Sequence, residues 1–305
     1  MNRQILIGSR GSALALAQAD EVIKSLRQVA PEVVCRVVPI KTKGDKLHES
    51  REGEFEGKSL FTKEIEDSLL NDEIQLAVHS MKDLTAALPP GLTLAAVPRR
   101  ADHRDVLVSK SKQKFDDLPA GARVGTSSPR RRTQLVAARS DLEVEDVHGN
   151  VDTRLRKLDG GNYDAIVLAA AGLMRLGLEK RITEFLPTKI MLPAIGQGAL
   201  AIEARTNDIE TLRVVSLVED KSTRRAIEAE RAFARKLGAN CRTPIAAYAR
   251  VQNGKLAIDG MVSSDDGRML LRSQLISEDP EPESVGEQLA ESLLNKGAQF
   301  VLEAS

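Results

Sequence analysis

The 305-residue sequence contains no tryptophan, and aromatic residues make up only 3% of it. Surfaces that bind single-stranded nucleic acid stack the bases on aromatic side chains, so this composition argues against such a surface. Neither sign of charge is in excess, because 44 basic residues balance 44 acidic ones. We therefore expect no general attraction to nucleic acid or to a membrane surface, and an anion site must come from local clustering.

Cysteine is equally scarce, because Cys35 and Cys241 are the only two and lie far apart without a metal-ligand spacing. This usage favours a reduced, cytoplasmic chain that binds no metal. No apolar run is long enough to span a bilayer. The residues from Met1 to Gln4 lead into a strand-like segment without a signal-peptide pattern. We expect a cytoplasmic protein that does not enter a membrane.

The chain is long enough for two or three domains, and 42% of its residues are hydrophobic. Short apolar runs alternate with helical patterns in two successive blocks, which predicts two α/β lobes. Loop-like segments at 98–102 and 191–200 predict two crossings between these lobes, as in a hinged, two-lobed cleft. The last third predicts a small α/β domain with a helix at 222–237, a three-stranded antiparallel sheet and a final helix at 285–294.

One stretch near the middle of the first block combines several reactive side chains. The apolar run 74–78 predicts a short buried strand, and His79-Ser80-Met81-Lys82-Asp83 follows it. Ligands of open α/β sheets bind beyond the carboxyl ends of strands. A carboxylate there, beside a lysine and a histidine, could stabilise a cation or move protons. The alternative is a strand end whose charges face water, and the stretch alone does not decide between the two.

The beginning of the chain also predicts a strand, a turn and a helix. Gln4 to Ile7 is the strand, the segment 8–12 is a tight Gly/Ser turn that carries Arg10, and the helix runs from Ala13 to Val29. This geometry offers backbone N–H groups to an anion, although Ser12 could equally be a simple helix cap. Farther on, Gly57-Lys58-Ser59 lacks the earlier glycine of a P-loop, since position 52 is Glu52. A nucleotide-binding P-loop is therefore rejected.

Arginines cluster after the strands of the second block. Thr126-Ser127-Ser128-Pro129 predicts a helix start with hydroxyl caps, and three arginines at 130–132 occupy its first turn. Their charges oppose the helix dipole, which favours an anion beside them; a solvated basic face is the alternative. Arg154 and Arg175 also follow predicted strand ends. Such arginines indicate a ligand rich in carboxylates.

Seven motifs, taken together and in order, resemble the porphobilinogen deaminase (hydroxymethylbilane synthase) family over nearly the whole chain. They are Gly8-Ser9-Arg10-Gly11-Ser12 with the residues to Ala19, Leu60-Phe61-Thr62-Lys63-Glu64, Ala77 to Asp83, Gly125 to Arg131, Gly149-Asn150-Val151 with Thr153-Arg154, Gly196-Gln197-Gly198-Ala199, and Cys241-Arg242-Thr243-Pro244-Ile245. The resemblance implies head-to-tail joining of four porphobilinogens with loss of ammonia, which gives hydroxymethylbilane. The ligands are then porphobilinogen and the growing oligopyrrole.

The resemblance also implies a fold and a cofactor. Two lobes like those of periplasmic binding proteins cover 1–98 with 199–217 and 103–192, and the third domain covers 221–305. A dipyrromethane cofactor, built from substrate, is implied to be held by a thioether to Cys241. Without the resemblance an inert buried thiol is the simplest interpretation of each cysteine, and for Cys35 it stays so. A monomer is expected, because all the motifs belong to one chain.

Residue roles carried over from the resemblance fall into two groups. Asp83 matches the catalytic aspartate of the family. A carboxylate near a pyrrole N–H can stabilise positive charge and help to move protons. The residues implied to bind cofactor or substrate are Arg10, Ser12, Lys58, Lys82, Thr126, Ser127, Ser128, Arg130, Arg131, His148, Gly149, Asn150, Arg154, Arg175 and Gln197. Lys58 matches a lysine of a flexible loop over the cleft, and it directly follows the segment 41–57, which has no apolar period and is predicted to be a mobile loop.

Position 148 departs from the family pattern, which has an arginine immediately before Gly149-Asn150. His148 is shorter than arginine and cannot form a two-pronged contact with a carboxylate. One hypothesis is that His148 impairs cofactor assembly or chain elongation. The other is that neighbouring arginines compensate for the change. A non-catalytic, two-lobed binder of an anionic small molecule is a further alternative, but it would leave Asp83 and Cys241 without a purpose.

Overall fold

The computed structural model describes residues 3–43, 62–85, 87–239, 243–279 and 281–303. The chain divides into two compact units: unit 1 comprises Met1–Arg100 and Ala199–Arg224, and unit 2 comprises Ala101–Gly198 and Arg225–Ser305. The chain thus leaves the first unit and returns to it, as the two predicted crossings require. The finer division into three domains stays a prediction.

The regular elements of the described residues follow the predicted alternation of strands and helices. The strands are β1 (Arg3–Arg10), β2 (Val33–Ile40), β3 (Leu76–Ser80), β4 (Leu92–Ala96), β5 (Asp105–Ser109), β6 (Arg123–Gly125), β7 (Glu143–Glu145), β8 (Ala165–Ala169), β9 (Glu184–Phe185), β10 (Leu200–Arg205), β11 (Ile245–Gln252), β12 (Lys255–Ser263) and β13 (Leu270–Ser277). The α-helices are α1 (Ala13–Val29), α2 (Lys63–Leu70), α3 (Pro129–Ala138), α4 (Val151–Asp159), α5 (Ala170–Arg175), α6 (Ile209–Val215), α7 (Lys221–Lys236), α8 (Pro282–Leu294) and α9 (Ala298–Glu303).

Unit 1 is built on a five-stranded sheet with the order β2-β1-β3-β10-β4. The first three of these strands are parallel, and β10 is antiparallel to both of its neighbours. The apolar stripe of α1, with Val22 and Leu26, packs into a core with Ile5 and Leu76. Ile65 and Leu69 of helix α2 belong to a second hydrophobic cluster. Because β3 lies inside this sheet, its side chains are almost all buried, as the apolar run predicted.

The tight turn predicted at 8–12 is wrong in its first half, because β1 continues through Gly8 and Ser9 to Arg10, which pairs with Ile40. Gly8 is there for packing: a Cβ at this position would lie 2.3 Å from Cδ1 of Ile74. A glycine inside a strand often marks such a close approach rather than a turn. Arg10 is consequently the last residue of a strand, and its backbone position is fixed by the sheet.

Unit 2 contains two sheets. The five-stranded sheet has the order β7-β6-β8-β5-β9, in which β6, β7 and β8 are parallel and β5 runs antiparallel to β8 and β9. The antiparallel sheet β11-β12-β13 packs against α8 around Phe233, Ile258 and Leu289. The predicted fold class, two α/β lobes with mixed sheets and a small α/β portion with a three-stranded antiparallel sheet, is confirmed.

Three strands were missed by the sequence analysis: β5, β9 and β10. Strand β10 begins at Leu200, where the sequence predicted the end of a loop. Both β5 and β10 are short and buried, with the apolar residues Val106 to Val108 and Leu200 to Ile202. A short apolar run is their only local signal, and periodicity alone does not distinguish such a run from a buried helix segment.

No α-helix among the described residues has both the length and the apolar character needed to cross a membrane. Nor do the described residues hold a group of three or more His, Cys, Asp or Glu side chains that could bind a metal ion.

Candidate functional site

In unit 1, several predicted site residues lie at one edge of the sheet. Arg10 ends β1, and Lys82 and Asp83 lie in a short 3-10 helix, Met81–Asp83, directly after β3. Strands β1 and β3 are parallel neighbours, with Gly8 opposite Ala77. Their carboxyl ends therefore meet at the same edge. Asp83 is half-buried, and no hydrogen bond or ion pair from the described residues reaches its carboxylate, which leaves it available to a ligand.

The histidine of the same stretch points elsewhere. His79 is 6% exposed, and its Nε2 lies 3.2 Å from Oε2 of the fully buried Glu203 on β10. Successive side chains of a strand point to opposite faces, so His79 and Ser80 do not share an environment. His79 thus belongs to the core of the sheet, and Lys82 and Asp83 remain the candidate site residues of this stretch.

Ser12 has the local role that the sequence left open. It is the N-cap of α1, and its Oγ accepts a hydrogen bond from the N–H of Ala15 at 3.3 Å. This bond satisfies one of the free N–H groups at the helix start. Capping is confirmed, and contact of Ser12 with a ligand stays a prediction.

In unit 2, the predicted arginines follow three neighbouring parallel strands. Arg130 and Arg131 lie on α3 after β6, Arg154 lies on α4 after β7, and Arg175 ends α5 after β8. Because β6 pairs with both β7 and β8 in parallel, the three helices begin at the same edge of the sheet. The sequence analysis placed these arginines correctly at strand ends.

The two arginines of α3 share a carboxylate that sequence reasoning missed. Asp105, the first residue of β5, is fully buried. Its Oδ2 lies 2.8 Å from Nη1 of Arg130, and its Oδ1 lies 2.9 Å from Nε and 2.7 Å from Nη2 of Arg131. Although burial opposes ionisation, the two guanidinium groups and a hydrogen bond from Gln197 lower the pKa of Asp105 to about 2. The anion inferred from the charged helix start is thus, in part, Asp105 itself.

The remaining groups at this helix start differ from the prediction. Ser128 is the N-cap of α3 but its side chain makes no capping bond, whereas Oγ1 of the buried Thr126 accepts from the N–H of Ser128 at 3.3 Å. Arg132 binds Asp146 at 2.8 Å on the surface. The predicted hydroxyl capping by Ser128 is therefore wrong, and the solvated basic face describes Arg132 rather than its two neighbours.

Arg154 lacks a matching carboxylate within the described part of the chain. Its Nε donates to the carbonyl oxygen of Gly149 at 2.8 Å, and this neutral group is its one hydrogen-bond partner there. Burial and the positive charge of Arg131 lower the pKa of Arg154 to about 10. Gly149 has a φ of +108°, and a Cβ at this position would lie 2.7 Å from Cγ2 of Thr153, so the turn requires glycine. Arg154 is therefore suited to bind an external anion.

His148 is exposed beside this turn. Its Nδ1 lies 3.4 Å from Oγ of Ser127, whose hydroxyl donates to the carbonyl oxygen of Val147 at 2.8 Å. Since the hydroxyl proton is already used, Ser127 acts as the acceptor toward the imidazole. Asn150 is the N-cap of α4 and makes no side-chain capping bond. The histidine thus lies at the predicted site without another described side chain holding it there.

Arg175 and Gln197 bind backbone groups close to Asp105 in sequence or next to Gln197. Nη2 of Arg175 donates to the carbonyl oxygen of Gly198 at 3.1 Å. The fully buried Gln197 donates to the carbonyl oxygen of His103 at 2.8 Å and hydrogen-bonds Asp105. Three predicted ligand-binding residues of unit 2, Arg130, Arg131 and Gln197, therefore meet around one structural carboxylate, and Arg175 binds the residue next to Gln197. The sequence signalled this carboxylate only as the polar start of the apolar run at 105–108.

Two predicted site residues, Lys58 and Cys241, lie outside the described residues. The other cysteine, Cys35, is buried in β2, and burial raises the pKa of its thiol. A thiol of this kind is poorly reactive because the thiolate is the nucleophile. The interpretation of Cys35 as a packing residue agrees with these observations.

Among solved structures, the chain is similar to a TRAP periplasmic solute binding protein from Desulfovibrio salexigens, with 10% identity, a TM-score of 0.44, and coverage of 72% of this chain and 73% of that one. It is also similar to a methionine binding protein, with 12% identity, a TM-score of 0.45, and coverage of 72% and 91%. TM-scores below 0.5 are too low to carry a conclusion about this chain.

Sequence relatives and family models give a firmer assignment. Residues 5–213 match the family model described as "Porphobilinogen deaminase, dipyromethane cofactor binding domain", and residues 225–295 match "Porphobilinogen deaminase, C-terminal domain". The chain is 48% identical to the porphobilinogen deaminase of Brevibacillus brevis over 97% of its length and 96% of that protein. It is 48% identical to the porphobilinogen deaminase of Desulforudis audaxviator over 99% of its length and 98% of that protein. The predicted dipyrromethane cofactor is therefore the one that the family model names, and the chain belongs to the porphobilinogen deaminase family.

Proposed function

We propose that this chain joins four porphobilinogen molecules head to tail, with release of ammonia, to give the linear tetrapyrrole hydroxymethylbilane. Such an enzyme is a transferase of tetrapyrrole biosynthesis. Membership of the porphobilinogen deaminase family supports the proposal. A cytoplasmic location and a monomeric state remain predictions from the sequence.

The observation that carries the proposal is an excess of positive charge in unit 2. Arg130, Arg131 and Arg154 bring three guanidinium groups together, and Asp105 supplies a single negative charge against them within the described residues. Partly buried cations are costly unless an anion offsets them. Each pyrrole of the substrate and of the cofactor carries an acetate and a propionate side chain. Carboxylates of this kind fit the surplus charge, and arginine can bind them with two parallel hydrogen bonds.

The excess of positive charge in unit 2 also fits the carboxylates of a dipyrromethane cofactor. Arg154 has a free set of N–H donors in the described structure, and it lies on the strand edge where ligands of α/β sheets bind. When bound through Cys241, the cofactor supplies the pyrrole terminus to which substrate is joined. Arg130, Arg131, Arg154 and Arg175 would hold its carboxylates and those of the added rings.

Asp83 is the proposed catalytic group. During addition, the bond between the aminomethyl carbon of porphobilinogen and its nitrogen breaks, ammonia leaves, and positive charge develops on the substrate pyrrole. A carboxylate near the pyrrole N–H stabilises this charge and can accept a proton as the new carbon–carbon bond forms. Arg10 and Lys82, at the same strand edge, are suited to hold the substrate carboxylates.

The intact mass of the denatured protein, purified from cells, tests this function. We expect the polypeptide mass plus one dipyrromethane, retained in Cys35→Ala and lost in Cys241→Ala. Porphobilinogen added to the purified protein should then release ammonia. The bare polypeptide mass together with no ammonia release would contradict the proposal and favour a non-catalytic binder. A longer adduct would indicate that elongation stalls.

Position 148 gives a separate prediction. Replacing His148 by arginine adds a permanent charge and two-pronged donors beside Ser127 and Gly149. If histidine limits elongation, His148→Arg should lower the KM for porphobilinogen or raise the turnover, by roughly three- to tenfold for one added charged hydrogen bond at an exposed site. His148→Gln is the matched control without a charge. Unchanged kinetics in His148→Arg would instead support compensation by the neighbouring arginines.

A further inference from the structure

A short loop in unit 2 is linked to three arginines, to Arg175 directly and to Arg130 and Arg131 through Asp105. This anchor loop, Gly196-Gln197-Gly198, has φ values of +74° at Gly196 and +89° at Gly198. A Cβ at position 198 would lie 2.8 Å from the carbonyl oxygen of Ala101, and the N–H of Ala101 donates to Gly198 at 3.2 Å. Glycine is required by both the backbone conformation and the close approach. The loop is therefore pressed against the segment that leads into β5.

Through this contact the anchor loop reaches three arginines. Gln197 donates to the carbonyl oxygen of His103 and hydrogen-bonds Asp105, which in turn binds Arg130 and Arg131. The carbonyl oxygen of Gly198 accepts from Arg175 at 3.1 Å. A shift of the loop would therefore change the orientation of several guanidinium groups at once.

The anchor loop is itself held by one buried carboxylate. Glu230 on α7 is fully buried. Its Oε2 accepts from the N–H of Gly196 at 2.7 Å, and its Oε1 accepts from the N–H of Ala249 on β11 at 2.8 Å. Glu230 thus ties the loop to the three-stranded sheet with both of its oxygens.

We infer that Glu230 is a positioning residue for the arginine site: it fixes the anchor loop to β11, and the anchor loop fixes Asp105 and Arg175. Its effect on porphobilinogen rests on the proposed function, whereas its effect on the arginine side chains does not. Removing the link should loosen the guanidinium groups without removing any of them. Misplacement of binding groups weakens the productive complex even when every group is still present.

The structure supplies a spectroscopic reporter for this link. The rings of His103 and Tyr248 stack with centroids 3.8 Å apart and planes 10° apart. Tyr248 is adjacent to Ala249, and the carbonyl oxygen of His103 accepts the hydrogen bond from Nε2 of Gln197. The chain has no tryptophan and two tyrosines, so Tyr163→Phe leaves Tyr248 as the only tyrosine. A loop that moves relative to β11 should change its near-ultraviolet circular dichroism.

The test compares Glu230→Gln with Glu184→Gln in the full-length protein. Glutamine at 230 presents an NH₂ group to one of the two N–H donors, so one of the hydrogen bonds is lost. Glu184 is a matched control, because it also accepts a backbone N–H, from Phe115 at 2.7 Å, without contacting the anchor loop. For Glu230→Gln we expect a KM for porphobilinogen raised by roughly tenfold with a smaller change in kcat. We also expect an altered Tyr248 signal and a shifted Nε–H resonance of Arg131 in protein labelled with [¹⁵N]arginine.

The outcomes separate the inference from the proposed function. Wild-type KM and an unchanged Arg131 resonance in Glu230→Gln would overturn the inference. So would equal changes in Glu184→Gln, which would mean a general loss of stability. If the unsubstituted protein neither carries the cofactor nor releases ammonia, the proposed function fails, yet the Arg131 resonance still decides the positioning. Should Glu230→Gln not fold, Glu230→Asp, whose shorter side chain reaches fewer donors, gives the same readouts.

Discussion

Asp83→Asn should lower kcat for ammonia release from porphobilinogen by about 10²- to 10⁴-fold, the usual range for the loss of a general acid–base group. The substitution keeps the shape of the side chain and removes the charge that stabilises the developing cation. Stability should hardly change, because Asp83 is half-buried and no hydrogen bond or ion pair from the described residues reaches its carboxylate. Steady-state kinetics and a thermal unfolding curve measure the two effects.

Two further variants serve as controls for the Asp83→Asn result. Asp20→Asn makes the same chemical change at an exposed position of α1 and should keep full activity. Asp83→Glu keeps the charge but moves it by one methylene, so its kcat should lie between those of Asp83→Asn and the unsubstituted protein. If Asp83→Asn turns over porphobilinogen at the wild-type rate, Asp83 is a strand-end charge that faces water, and the catalytic role must be abandoned.

Asp105→Asn should destabilise the fold by about 3–5 kcal/mol, because it leaves the buried guanidinium groups of Arg130 and Arg131 without their shared carboxylate. In a chain of this size the melting temperature should fall by on the order of 10 °C. Asp164→Asn is the control: this carboxylate accepts the N–H of Arg123 at 2.8 Å but is 46% exposed, and its loss should cost less than about 1 kcal/mol.

The pH dependence of Asp105→Asn follows from the pKa of Asp105, which is lowered from 3.8 to about 2. A carboxyl whose pKa is lower in the folded state stabilises the fold above its unfolded value, and this stabilisation is lost as the pH falls through the folded value. The stability gap between wild type and Asp105→Asn should therefore be constant above about pH 5. It should shrink by about 2 kcal/mol between pH 4 and pH 2.

Denaturant unfolding of both proteins across this pH range measures the gap, and taking the difference cancels the titration of all other carboxylates. A gap that stays constant down to pH 2 would mean that Asp105 is not held ionised by the two arginines. A small gap at neutral pH would mean that water replaces the lost carboxylate, so that the arginines do not depend on it.

Much of this protein could be predicted from the order of its residues. Apolar periodicity located α1 at its observed bounds, because the pattern is local and repeats over several turns. The placement of arginines after strand ends needed no more than the strand and helix pattern, since parallel strands end at a common edge. The seven motifs and their order pointed to the family, and the family models and relatives confirm it.

Tertiary structure alone decided which charges are partners. Asp105 lies 25 positions before Arg130 in sequence, and no local pattern connects the strand β5 with the first turn of α3. Glu230 is 34 positions from Gly196 of the anchor loop, which it binds. His79 is 124 positions from Glu203, its partner in the sheet. The first and third of these pairs form because β5 and β10, which no local pattern predicted, run antiparallel to their neighbours within the two five-stranded sheets. Side-chain charge can be listed from a sequence, but burial and a partner's distance determine whether that charge holds the fold together or remains available to a ligand, and both arise only when distant segments pack.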